Sequence, residues 1–398
     1  MPSDRTWIRS RRSFLQLSAA ASTVAALRVV TEPTLAVAAR AKAAPTGAIL
    51  IDANENPLGP SQAARDAASA MLPQGGRYLD HLTYELTASF AQMEGLRPDQ
   101  VKFYAGSSGP LHFAVLAFTS PKASYVTADP GYEAGMYAAE NSGARVVKVP
   151  LTKAYAHDVK AMLAAAPDAG VFYVCSPNNP TGTLTPHGDI EYLLANKPKG
   201  SIVIVDEAYI HFCSAPTALD LVKAGKDVVV LRTFSKLYGM AGLRCGLAAG
   251  RKDLLEKMDR VGGWNAMPIT AVAAARASLG DAQLVPERRR VNATIRQETF
   301  EWLDRGGYSY TPSEANFFQL DTRRPGREVI EAMSRQGVYI GRIWPIMPNH
   351  VRVTVGTRDE MLRFQEAFHK VMTGSASVAV PHPAPRARLR HDGAVRVG

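Results

Sequence analysis

The sequence predicts an α/β fold built on a mostly parallel sheet. Apolar runs of strand length, at 171–175, 201–206 and 228–231, each end in polar, small or turn-forming residues. Helix-like stretches alternate with such runs between about residues 76 and 275, the pattern of helices laid over a parallel sheet. In an open sheet of this kind the crevice at the strands' carboxyl ends is where ligands bind. The residues that follow each run are therefore the ones to read.

The run at 228–231 leads into Thr233-Phe234-Ser235-Lys236, with Arg244 eight residues further on. A lysine that attacks an aldehyde needs partial burial and neighbouring positive charge, which lower its pKa. The hydroxyls of Thr233 and Ser235 and the guanidinium of Arg244 are groups that suit a phosphate. Together they suggest pyridoxal phosphate, joined to Lys236 through its aldehyde. The run at 201–206 ends in Asp206, followed by Tyr209. A carboxylate there is costly unless a cation meets it, and a protonated pyridine nitrogen would do so. Asp206 could equally cap the next helix. Tyr209 is the candidate for a hydrogen bond to the ring hydroxyl.

After the run at 171–175 comes Ser176-Pro177-Asn178-Asn179-Pro180-Thr181-Gly182, a turn that projects the Asn179 amide at the strand end. A plain turn would look much the same. Gly106-Ser107-Ser108-Gly109-Pro110 opens a helix with proline in its first turn, and a helix N-terminus is a ready anion site. Gly106, Ser107 and Ser108 are thus placed to hold the phosphate opposite Ser235 and Arg244. Each element alone is weak; four at successive strand ends converge on one cofactor.

These segments resemble fold-type-I pyridoxal phosphate enzymes of the class I/II aminotransferases, and within them histidinol-phosphate aminotransferases. The resemblance also rests on Asp52-Ala53-Asn54-Glu55-Asn56-Pro57, Ser313-Glu314-Ala315-Asn316-Phe317-Phe318 and Val351-Arg352-Val353-Thr354, and spans about residues 48–372. It implies a seven-stranded, mostly parallel sheet flanked by helices, plus a smaller α+β domain. It implies that Tyr132 stacks on the pyridine ring and that Tyr78 reaches the phosphate of a partner subunit's cofactor, hence a homodimer with shared sites. Arg352 would grip the substrate's anion, with Asn54 and Arg342 as further substrate contacts. The chain departs from the family in having Ser107-Ser108-Gly109 where an acidic pair is common, and Leu58 where an aromatic residue is usual.

The domain plan is a leader at 1–44, an N-terminal arm at 45–75, a large cofactor-binding domain at 76–284, a small domain at 285–373 with a strand at 351–355, and a tail at 374–398. Ser10-Arg11-Arg12-Ser13-Phe14-Leu15-Gln16 resembles a twin-arginine export signal, and the alanine-rich stretch after it is interrupted by Arg28 and Glu32. Export of a folded protein through the twin-arginine translocase to the periplasm would let the cofactor bind beforehand. No stable membrane insertion is expected.

With 46% hydrophobic and 21% charged residues, 398 residues can bury one large core and one smaller one. The net charge of +10 hints at nucleic acid until it is located. Residues 1–48 carry seven basic and two acidic side chains, and residues 374–398 four arginines and one aspartate, so the body is nearly neutral and no nucleic-acid partner is expected. Cys175, Cys213 and Cys245 lie in or beside apolar segments and read as buried free thiols, with no metal-ligand spacing.

The expected activity is transamination between an amino acid or amino alcohol phosphate (histidinol-phosphate-like or aromatic) and a 2-oxo acid, with Lys236 as the general base. An amino acid decarboxylase or lyase on the same scaffold is the alternative. A cofactor-sensing transcription factor would need a DNA-binding module ahead of residue 49, and that segment is too short and alanine-rich for one. Export and histidinol phosphate, a cytoplasmic metabolite, pull against each other.

Overall fold

The computed structural model describes residues 45–263 and 266–374. The expected twin-arginine leader and all but the first residue of the expected C-terminal tail lie outside the described residues. Eleven strands are described: β1 (Ile49–Ile51), β2 (Val101–Tyr104), β3 (Ser124–Asp129), β4 (Val146–Pro150), β5 (Ala169–Cys175), β6 (Ile202–Asp206), β7 (Val228–Thr233), β8 (Gly246–Gly250), β9 (Phe317–Asp321), β10 (Val338–Ile340) and β11 (His350–Thr354).

Seven of them form one sheet in the order β2-β8-β7-β6-β5-β3-β4. Six run in one direction and β8 in the other, antiparallel to both its neighbours. The apolar runs are continuous because both faces are covered. Val203, Val205, Val228 and Val230 enter the core on one side, and Ile202, Ile204, Val229 and Leu231 the core on the other. Helices Ser108–Phe118, Ala134–Asn141 and Lys252–Gly262 pack together over one face, and Gln62–Ala70, Asp80–Glu94 and Ile269–Gly280 group elsewhere on the large unit. Between β6 and β7 lies a buried ion triad: Arg232 donates to Glu207 at 2.9 Å and to Glu94 at 2.7 Å. It satisfies charges that would otherwise be costly to bury, and it anchors the two strands whose ends carry Asp206 and Lys236.

A separate apolar cluster joins Ile49 and Ile51 to side chains between 295 and 368. Here β9 and β11 pair antiparallel, with Arg352 opposite Gln319, and β1 pairs parallel with β10, Ile49 opposite Val338. The strand expected at 351–355 is His350–Thr354, one residue earlier; Val355 instead donates its N–H to the Asn316 carbonyl. Helices Leu284–Arg305, Gly326–Arg335 and Arg358–Thr373 complete this unit, the last opened by a Thr357/Glu360 capping box. No described helix is long and apolar enough to cross a membrane. All three cysteines are buried free thiols.

Candidate active site

The parallel strands put their carboxyl ends on one side, and the reversed β8 puts its amino end there too. A cavity of about 930 Å³ opens between those ends and the smaller unit. Its walls carry Lys236, Asn54, Ser107, Ser108, Tyr132, Asn179, Asp206, Tyr209, Thr233, Ser235, Arg244, Arg342 and Arg352. Of the residues singled out from sequence, Gly106 lies just behind this wall, and Tyr78 is elsewhere, 69% exposed.

Asp206 ends β6 at 4% exposure. Both its oxygens are held by neutral donors: the Tyr173 hydroxyl at 2.8 Å and the Ala208 N–H at 3.0 Å. Burial pushes its pKa up to about 6; Glu207 adds to the rise, while Tyr173, Ala208 and Lys236 oppose it. A buried carboxylate whose direct partners carry no charge is a site that gains from a cation, and a pyridinium N–H supplies one. Lys236 Nζ lies 3.3 Å from the Ala53 carbonyl oxygen and 5.8 Å from the Tyr209 ring centre.

The phosphate end is equally specific. Helix Ser108–Phe118 has Ser107 at its N-cap with no side-chain capping bond, so its first amides are not taken by a cap. Opposite them, Arg244 Nη1 donates to Ser235 Oγ at 3.3 Å, and Thr233 Oγ1 donates to Ser235 Oγ at 2.9 Å. Gly106 has φ of +94°, and a Cβ there would lie 2.0 Å from Arg244 Nη2. Glycine is therefore what lets the guanidinium lie across the loop. These residues fit pyridoxal phosphate at both its poles.

A polar chain lines the substrate side. Asn54 Nδ2 donates to the Tyr209 hydroxyl at 3.1 Å, and Arg352 Nη1 donates to Asn179 Oδ1 at 2.9 Å. Burial pushes the Tyr209 phenol up, so it stays protonated and can donate to a ring oxygen. Burial also raises the Tyr132 phenol. Arg352 is 6% exposed, and burial lowers its pKa to about 10. Its Nη2 donates to the Asp52 carbonyl at 2.7 Å, while its Nε–H is buried with no hydrogen-bond partner. Asn54, expected as a substrate contact, is also the prop of Tyr209, bonded in turn to Thr354. Arg342, expected to bind substrate anion, is paired with Glu133.

Sequence reasoning missed Tyr173, Glu133 and Trp344. Tyr173 sits on β5, two residues from Cys175, which pairs with Asp206, a lateral relation no local motif encodes. Glu133 directly follows the recognised Tyr132, and its neighbour in the sequence was the only available signal. Trp344 donates its indole N–H to the Gly131 carbonyl at 3.1 Å and carries both arginines over its ring, at 4.4 Å for Arg342 and 5.5 Å for Arg352.

A strand-end lysine, a buried aspartate and an arginine-lined anion pocket on a doubly covered parallel sheet define a fold-type-I pyridoxal phosphate enzyme. Comparison with known proteins agrees. The chain belongs to the class I and II aminotransferase family, whose model matches residues 46–368, and it is a pyridoxal phosphate-dependent transaminase. It is 37% identical to the histidinol-phosphate aminotransferase of Symbiobacterium thermophilum over 80% of this chain and 89% of that enzyme. It is 34% identical to histidinol-phosphate aminotransferase 1 of Nitrosococcus oceani, over 82% of this chain and 89% of that one. In three dimensions it superimposes on the Sinorhizobium meliloti histidinol-phosphate aminotransferase, solved with pyridoxal-5'-phosphate, at a TM-score of 0.78 and 24% identity, covering 94% of this chain and 100% of that one.

Proposed function

We propose that the protein takes its amino group from an amino acid or from an amino alcohol phosphate of the histidinol-phosphate kind, and passes it to a 2-oxo acid. The observation that carries the substrate reading is Arg352. A buried guanidinium with an unfilled Nε–H, on the wall shared with Lys236, wants an anion. A planar fork suits carboxylate and phosphate alike.

When bound, pyridoxal phosphate supplies the aldehyde that takes up the amine and the ring that accepts electrons from the donor's Cα. The protein's own groups do the rest. Lys236 removes the Cα proton and returns it on the cofactor side. Asp206 would hold a proton on the ring nitrogen, Tyr209 and Asn179 would bond the ring hydroxyl, and Arg352 would fix the donor so that its Cα hydrogen meets Lys236. Amino donors offered to the purified protein, with the cofactor's absorbance followed, should give conversion to its amine form only with donors bearing an anion. Lys236→Ala should lose the lysine-bound cofactor's visible band and at least about 10³-fold in rate. Carbon dioxide release in place of amine transfer would instead mark a decarboxylase.

The working unit is a homodimer, supported by the exposed position of Tyr78 outside its own chain's cavity. The twin arginines Arg11 and Arg12 support export to the periplasm. Arg11→Lys with Arg12→Lys should hold the protein in the cytoplasm on fractionation; export of that variant at the normal level would refute the signal.

A further inference from the structure

Glu133 follows Tyr132 beyond the end of β3, and Arg342 lies two residues past β10. They belong to different structural units, line the same cavity, and meet as an ion pair between Glu133 Oε2 and Arg342 Nη2. Their side chains are only 17% and 15% exposed. The pair is braced. Arg342 lies over the Trp344 indole, whose N–H bonds the carbonyl of Gly131, two residues before Glu133.

The same indole carries Arg352, so two guanidiniums approach one ring and, among the described residues, only Arg342 has a carboxylate partner. Arg352 spends its Nη groups on the neutral oxygens of Asn179 and Asp52's backbone, and keeps its charge for an incoming anion. Arg342 does not.

We infer that Glu133 sets the charge of the substrate the site accepts. By holding Arg342 it leaves Arg352 alone to bind the donor's anion, so a donor with one carboxylate is favoured over one bearing a phosphate dianion. The inference rests on the substrate reading above and narrows it. A dianion beside Arg352 has either to strip Arg342 from Glu133, which leaves a like-charged carboxylate uncompensated nearby in a half-buried, poorly screened cavity, or to leave the pair intact and set two charges against one guanidinium. Glu133 is thus a specificity-determining residue that acts by occupying a cation. It does not touch the Cα–H bond that breaks.

The test uses matched donors that differ only in the anion: histidine against histidinol phosphate, and phenylalanine against phenylalaninol phosphate. The half-reaction of the cofactor-loaded protein is followed by absorbance. The wild type should favour the amino acids in kcat/KM by about 10-fold or more. Glu133→Gln should move that ratio toward the phosphates by about 10- to 100-fold, chiefly through a lower KM for the phosphate donor. Glu133→Asp, which keeps the charge, should stay on the wild-type side. A wild type that prefers the phosphates overturns the inference even if the variants fail to fold. So does a Glu133→Gln protein that loses activity equally toward both donors, which would make the pair a structural latch only. Transfer from neither class would bring down the substrate reading and this inference together, a result distinct from an inverted ratio.

Discussion

Asp206 shows how one side chain ties stability to cofactor binding. Its pKa of about 6 in the folded protein lies above the ordinary 3.8, chiefly because burial disfavours the charge. A raised carboxyl pKa means the folded state holds its proton more tightly than the unfolded chain does. For the cofactor-free protein this contribution is fully present below pH ~4, declines between about pH 4 and 6, and is gone above that. Two units correspond to on the order of 3 kcal/mol. Urea midpoints of cofactor-free protein should therefore fall across this window, and Asp206→Asn should flatten that part of the profile. With the cofactor bound, the ring's N–H⁺ reverses the preference, and the same variant should lower kcat by about 10²-fold or more. An unchanged pH profile in the variant would remove the argument. Lys236, Asp206 and Arg244 were legible in the sequence because each stands at a fixed offset from an apolar run. Tyr173 was not, because it reaches Asp206 across the sheet from β5, and lateral pairing leaves no mark in local spacing.

At the scale of elements, the strand ends and the loops after them make the site. The loop after β2 and the segment before β8 must pass within contact of each other for Arg244 to face Ser235. Small residues allow this: a Cβ on Gly246 would lie 2.6 Å from the Gly106 carbonyl carbon. Gly106→Ala would add both that kind of crowding against Arg244 and a strained positive φ, on the order of 1–3 kcal/mol. The cofactor's dissociation constant should rise about 10- to 100-fold, and the thermal transition of the cofactor-free protein should fall by a few degrees. Titration of that form with pyridoxal phosphate measures it; wild-type affinity in the variant would show that Arg244 has room to spare. The reversed direction of β8 was not legible. Gly246-Leu247-Ala248-Ala249-Gly250 is an ordinary apolar run, and nothing in it says which way it faces. The loop after β5 was legible as a turn, yet its docking was not: Gly182 accepts from Glu314 N–H at 2.7 Å, and Thr311 donates to the Thr181 carbonyl at 2.6 Å. Those contacts join two units more than 100 residues apart.

At the scale of the whole molecule, the dimer proposal makes Tyr78 the residue to test. Within one chain it is exposed and away from the cavity, so a purely local role predicts no effect on cofactor binding of removing its hydroxyl. If it serves the second subunit, Tyr78→Phe should weaken cofactor binding by about 10-fold, the loss of one hydrogen bond to a charged group, in a protein that sediments as a dimer. Unaltered cofactor affinity would separate Tyr78 from the neighbouring site.

The arm that begins at β1 has one further consequence. Asn54 reaches Tyr209 and Thr354, Asn56 Nδ2 donates to the Leu237 carbonyl at 2.8 Å, and β1 finds its strand partner at Val338–Ile340. A Cβ on Gly239 would lie 2.1 Å from the Gly59 carbonyl, so the arm rests directly on the turn after Lys236. The residues of the arm thus wait for partners up to 300 positions later in the chain before they can settle. A nascent chain stalled before about residue 354 has its lysine and its aspartate but lacks the clasp that seats them, so chemistry is withheld until the second half of the small unit has been made.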